Sequence, residues 1–252
     1  TNEKITAGLA FLGKMRSGKE WILDPIVPAE ITKTKIFFVD KKNAAQSEIR
    51  MGYLALPYDA FDTYYKCNVM NFAFAGAFNS RINYQLREVK GWTYGTRAAF
   101  NGSKFIGPYT LSGGFKANAT DSTLSEIMKQ FETYTATGMT QEELDFAKNA
   151  IAQGDALKYE APTQKLMFIA RVLDYKLPKD YVAQQMNVLN SLTVGDMNKF
   201  AANFLPYKKM IIISCLGGIH AFLRFNSFCY GFSPFRVLRT SCLQASQQPY
   251  MC

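Results

Sequence analysis

Few side chains of this sequence could do chemistry, and two of them stand close together. In Phe78-Asn-Ser-Arg-Ile-Asn-Tyr-Gln-Leu-Arg-Glu-Val-Lys-Gly-Trp-Thr-Tyr94, Arg87 and Tyr94 are seven residues apart. The segment reads as a helix that stops at Gly91 and gives way to a strand from Thr93, which puts the pair on either side of one tight corner. A guanidinium fork can grip a carbonyl or carboxylate, and a phenol can donate to a developing oxyanion. Neither group can break a peptide bond alone. A plainer reading stands beside it, in which Arg87 pairs with Glu88 or another nearby acid and Tyr94 is an ordinary strand tyrosine. Arg81 and Asn79 read as helix-surface and cap groups, and Trp92 as a core or interface plug.

Other chemistries find little support. His220 is the single histidine, and Ala-Phe-Leu-Arg follows it with no acid in reach along a helix. A zinc site wants two histidines facing one ion plus a carboxylate, so none is expected in this chain. A serine triad would need the same histidine, and no Gly-x-Ser-x-Gly elbow exists. Cys67 falls on an aromatic helix face and reads as inert packing. The other cysteines, Cys215, Cys229, Cys242 and Cys252, lack CxxC spacing, and a total of five leaves no complete disulfide framework. Gly113-Gly114 interrupts a strand and is the expected place for a bulge. No cofactor-binding motif is present.

The bulk properties fit a folded domain. The chain has 252 residues, 48% hydrophobic and 19% charged, enough for a sizeable core. The net charge of +9 invites a nucleic-acid reading, but Lys33, Lys35, Lys41 and Lys42 form the densest cluster and the rest lie scattered among glutamates. A solvated surface is expected and no nucleic-acid partner, while an anionic peptide or partner domain would suit the charge equally. No run approaches the roughly 18 apolar residues of a membrane span, and no signal-peptide pattern opens the chain. It begins on Thr1, as a fragment or processed product would.

The elements that must position the pair follow from periodicity. Residues 1–18 fit an amphipathic helix carrying Ile5, Leu9, Leu12 and Met15, and residues 19–33, with Pro25 and Pro28, an extended linker. Strands are expected at Lys35–Asp40, Ser47–Ala55, Thr93–Phe100 and Pro108–Lys116, the last two joined by a turn at Asn101-Gly102, and at Lys209–Ser214. Asp59 can cap a helix running toward Gly76, and Asn79 the helix that carries Arg87. Leu124, Ile127, Met128, Phe131 and Tyr134 form a three-four stripe after Asp121, and Thr140-Gln-Glu-Glu143 is a capping box. Pro162, Pro178 and Thr193 mark three more helix starts. The order predicts an α+β fold, with antiparallel strands covered on one face by helices.

From Leu216 the texture changes. Residues 216–252 contain no Asp, Glu or Lys, and no period persists. Either this is a genuine extension packing elsewhere, or the chain past Cys215 is not in its native reading frame, as the abrupt shift suggests. No function is based on it.

At Ser80-Arg-Ile-Asn-Tyr-Gln-Leu-Arg-Glu-Val-Lys-Gly-Trp-Thr-Tyr94 the sequence resembles the insulinase/pitrilysin and mitochondrial-processing-peptidase-like zinc peptidases, peptidase family M16, in their C-terminal, non-metal-binding domain. Gln46–Gly52 resembles the family's entry strand, Gly138–Lys148 its late capped helix, and Thr193–Met197 its final helix, all in the right order. The resemblance implies an M16-like domain over 34–215, preceded by the end of another domain plus linker over 1–33 and followed by the atypical tail 216–252. It also implies a partner domain or subunit holding zinc on an inverted His-x-x-Glu-His motif, absent here, and a peptide substrate. Arg87 would grip a substrate carbonyl or carboxylate, and Tyr94 would serve the tetrahedral oxyanion. No activity is then expected of this chain alone. A non-catalytic scaffold of the same family is the alternative, and the bacterial periplasm or cell envelope is the expected setting.

Overall fold

The computed structural model describes residues 2–15, 18, 29–41, 44–157, 160–216 and 236–238. Six strands form one sheet: β1 (Lys35–Asp40), β2 (Gln46–Leu56), β3 (Thr93–Phe100), β4 (Gly107–Lys116), β5 (Ile211–Leu216) and β6 (Arg236–Leu238), in the order β3-β4-β2-β5-β1-β6. The run β3-β4-β2-β5 is antiparallel throughout, as the sequence predicts. β1 differs, pairing parallel to β5 and β6. The chain between β1 and β5 passes through most of the domain, and such a long crossover can return a strand parallel where a hairpin cannot. The turn expected at Asn101-Gly102 is the start of a longer loop, which runs from Phe100 to Gly107 and closes with Asn101 N–H on the Pro108 carbonyl at 2.9 Å.

Alternation makes the sheet two-faced. In β2, Ser47, Ile49 and Met51 are buried while Glu48 and Arg50 are exposed. Tyr109, Leu111 and Phe115 of β4 lie on the same inner side. Against them packs a layer of helices, and the layer is unequal. α1 (Asn2–Leu9), continued by a 3-10 turn over Ala10–Lys14, is shorter than expected and buries nothing. α2 (Thr63–Asn71) runs on as a π-type segment, Phe72–Gly76. Asp59 does not cap it directly. Its carboxylate accepts the amides of Phe61 and Asp62 at 2.9 and 3.1 Å, closing the turn before the helix.

α3 (Arg81–Asn83) also widens into a π-type segment, Tyr84–Val89. α4 (Thr120–Thr137) buries the predicted stripe at Leu124, Ile127, Phe131 and Tyr134. There the Phe74 ring stacks on Tyr134 at 4.2 Å and meets Phe131 edge-on at 4.9 Å. α5 (Gln141–Leu157) starts at the predicted box, with Thr140 N–H on Glu143 Oε2 at 2.9 Å. α6 (Pro162–Asp174) begins at the predicted proline but has no buried residue; Leu166, Met167, Ile169 and Leu173 are all exposed. α7 (Tyr181–Ser191) and α8 (Val194–Phe204) complete the layer, α8 being capped by Thr193, whose Oγ accepts from Asp196 N–H at 3.2 Å. Most of the tail questioned above lies outside the described residues.

Candidate functional site

The corner that carries Arg87 and Tyr94 is built by tertiary ties more than by local capping. Ser80, not Asn79, occupies the N-cap position, with an extended ψ of 159°. Its hydroxyl is buried without a hydrogen-bond partner, so the helix start is held by packing and by Tyr84 N–H on the Ser80 carbonyl at 2.8 Å. Past Tyr84 the turns widen, with Lys90 N–H reaching Gln85 O at 3.0 Å. Gly91 then takes φ +63°, a conformation that a Cβ strains. The stop is a left-handed cap one residue wider than usual, with Trp92 N–H on Leu86 O at 2.9 Å and Gly91 N–H on Arg87 O at 3.1 Å. Lys116 N–H on Trp92 O at 2.9 Å moors the chain to β4. Trp92 itself is half-buried against the core, as a plug should be.

Two arginines of this segment have opposite fates. Arg81 is not a helix-surface group. Its Nε and Nη2 donate to Glu143 Oε1 and Oε2 at 2.7 and 2.6 Å. Nη2 also reaches the Gly138 carbonyl at 3.2 Å, and the guanidinium lies 4.7 Å from the Tyr134 ring centroid. Gly138 itself needs φ +76°, and a Cβ there would strike the Asn198 side chain. Arg87 faces outward. Its Nη1 donates to Glu88 Oε1 at 2.6 Å, and its guanidinium sits 4.2 Å from the Phe78 ring centroid. The plain pairing with Glu88 is therefore present. A half-exposed pair between sequence neighbours is worth little, and most of the guanidinium's five donors face away from that one contact.

Tyr94 is 87% exposed. The reason is a register shift in which Thr93 pairs with Phe115 and Thr96 with Gly113, so that Tyr94 and Gly95 together oppose Gly114. The bulge expected at Gly113-Gly114 thus lies on the opposite strand, and β4 runs unbroken. An extra residue on β3 throws the phenol out of the pleat. Arg87 and Tyr94 share the corner, but no hydrogen bond joins them among the described residues.

Sequence reasoning missed two residues that hold this arrangement. Asn83, buried on α3, donates from Nδ2 to Phe78 O at 2.6 Å and accepts Thr96 N–H on Oδ1 at 2.9 Å. The Thr93 hydroxyl lies 2.7 Å from Gly114 O, to which it donates, and accepts Gly95 N–H at 3.0 Å. The available signal was an asparagine between Ile82 and Leu86 on an otherwise apolar helix face, since buried amides are kept only where they are bonded. Further along β3, Asn71 Nδ2 donates to Ala98 O and Tyr64 hydroxyl to Phe100 O, both at 2.8 Å.

Among the described residues no other reactive group stands out. Cys67 is fully buried, and desolvation with the Asp62 charge behind it pushes the thiol up to about 12, as inert packing requires. Burial likewise raises Tyr109 and Tyr134. Among the described residues no group of three His, Cys, Asp or Glu could hold a metal ion, and His220 lies outside them. Among the described residues no helix is long and apolar enough to cross a membrane.

The described residues thus form an α+β domain with Arg87 and Tyr94 on either side of one helix-to-strand corner. Residues 9–151 match the family described as Peptidase M16 inactive domain, and the chain belongs to that family. It is 26% identical over 137 residues to the non-peptidase homolog YmxG of Helicobacter pylori, covering 54% of this chain and 31% of that one. It is 25% identical over 126 residues to the uncharacterized zinc protease YmxG of Bacillus subtilis, covering 50% and 31%. Among solved structures, the peptidase M16 inactive domain from Pseudomonas fluorescens superposes with a TM-score of 0.69 at 26% identity, over 78% of this chain and 47% of that one. The match to each YmxG relative thus spans about a third of that relative's length.

Proposed function

We propose that this chain is the substrate-gripping half of an M16-type zinc endopeptidase, with zinc held entirely by a partner domain or subunit. Arg87 holds a carbonyl or carboxylate of the peptide, exchanging its weak contact with Glu88 for the substrate. Tyr94 donates its hydroxyl proton to the oxyanion that develops on the scissile carbonyl. The observation that carries this reading is the 87% exposure of Tyr94 on a bulge beside an outward Arg87, because a tyrosine serving only the core would turn inward.

The test is reconstitution. This chain is mixed with an M16 half bearing His-x-x-Glu-His, and cleavage of a peptide library is followed. Neither half alone is expected to cut, the mixture should, and Arg87→Ala or Tyr94→Phe should each lower kcat by on the order of a hundredfold. A scaffold role is the second reading, favoured by the non-peptidase name of the Helicobacter pylori relative. Association with the partner half without any cleavage, or unchanged rates in both variants, assigns the scaffold.

A further inference from the structure

Four facts at the corner bear on how the phenol is aimed. Tyr94 is the first residue of the bulge, and the amides that follow it, Gly95 N–H and Thr96 N–H, are both captured by side chains, the Thr93 hydroxyl at 3.0 Å and the Asn83 carboxamide at 2.9 Å. The Thr93 hydroxyl is pinned in turn by its bond to Gly114 O at 2.7 Å. Asn83 is pinned by its bond to Phe78 O at 2.6 Å. Asn83 also sits one turn before Arg87 on the same helical segment. Without these acceptors the bulge would leave two backbone donors unpaired beside the core, and the strand would relax toward a register that returns Tyr94 to the pleat.

We infer that Thr93 and Asn83 are positioning residues for the proposed Tyr94–Arg87 pair. Thr93 fixes the bulge against β4, and Asn83 couples the strand that carries the phenol to the helix that carries the guanidinium. The two groups are thereby held at one spacing before any substrate arrives, which is what stabilisation of a developing charge demands of its donors. The inference rests on the functional reading above, since a positioned phenol matters only if it contacts substrate.

Thr93→Val removes the hydroxyl at constant shape, and Thr93→Ser restores it. In the chain by itself, Thr93→Val should speed amide hydrogen exchange at Gly95 and Thr96 at least tenfold, with Thr93→Ser close to the parent. In the reconstituted pair, Thr93→Val should lower kcat by on the order of tenfold with KM little changed, and Thr93→Ser should recover most of it. Unaltered exchange at both amides in Thr93→Val, or loss in Thr93→Ser equal to that in Thr93→Val, overturns the clamp. A full kcat in Thr93→Val where Tyr94→Phe is impaired overturns the positioning role and leaves the functional reading standing. A full kcat in Tyr94→Phe overturns both. Asn83→Ser, with a shorter reach, should loosen Thr96 but not Gly95, which separates the two halves of the clamp even if Asn83→Ala does not fold.

Discussion

Arg81 and Arg87 lie on one helical segment, and the two regions they serve could hardly differ more. On the inner side, Arg81 meets a bidentate carboxylate, a helix-end carbonyl and a tyrosine face, all from α4, α5 and the turn between them. On the outer side, Arg87 leans on its sequence neighbour and one exposed phenylalanine. The same residue type is a structural rivet in one place and a lightly tied surface group in the other. What separates them is how many of the guanidinium's donors the fold consumes.

That contrast can be broken by substitution. Arg81→Ala strips the partly buried Glu143 of its partner and should cost about 2–4 kcal/mol of unfolding free energy by urea titration. A loss no larger than that of Arg87→Ala would erase the distinction. Arg81→Lys keeps the charge but not the fork, so a loss of about 1–2 kcal/mol is expected, with the N-terminus of α5 exchanging faster. The core behind the rivet is probed by pH. Cys67 is pushed from 9.0 to about 12 in the fold, so between those values the unfolded chain gives up a proton that the folded chain keeps. Stability should fall as pH rises through that window, and Cys67→Ala should flatten the Cys67 share of the slope. Native protein at pH 8 should leave Cys67 unlabelled by a thiol reagent, as peptide mapping would show. The smallest effect is on the outer side, where Arg87→Ala and Tyr94→Phe should each change stability by no more than about 0.5 kcal/mol while lowering kcat of the proposed activity by on the order of a hundredfold. Large destabilisation by either would return both residues to the scaffold.

Much of this could be read before any coordinates. The stripe Leu124, Ile127, Phe131 and Tyr134 announced a buried helix face, and the limits of β1 and β3 follow from runs of strand formers and from Gly91. The capping box at Thr140 was legible because its bonds join residues three apart, whereas Thr193 marks only a helix start in the sequence and its box with Asp196 is seen in the fold. What could not be read involves partners distant in sequence. Arg81 reads as a surface group because Glu143 is remote, and the glycines read as the bulge because the side chains bonded to it, Thr93 and Asn83, lie on the facing strand and a helix. α6 shows a different limit. Its apolar stripe is as regular as that of α4, yet Leu166 and Leu173 stay exposed, because periodicity says which face is oily and not what covers it.

The outer border of β3 carries one last consequence. Thr96 N–H, Ala98 O and Phe100 O, which would otherwise greet an incoming strand, are each occupied by Asn83, Asn71 and Tyr64. A second molecule pairing there would first have to displace these three side chains of α2 and α3. At this border the domain's own helices, through three side chains, already hold part of the sheet's edge.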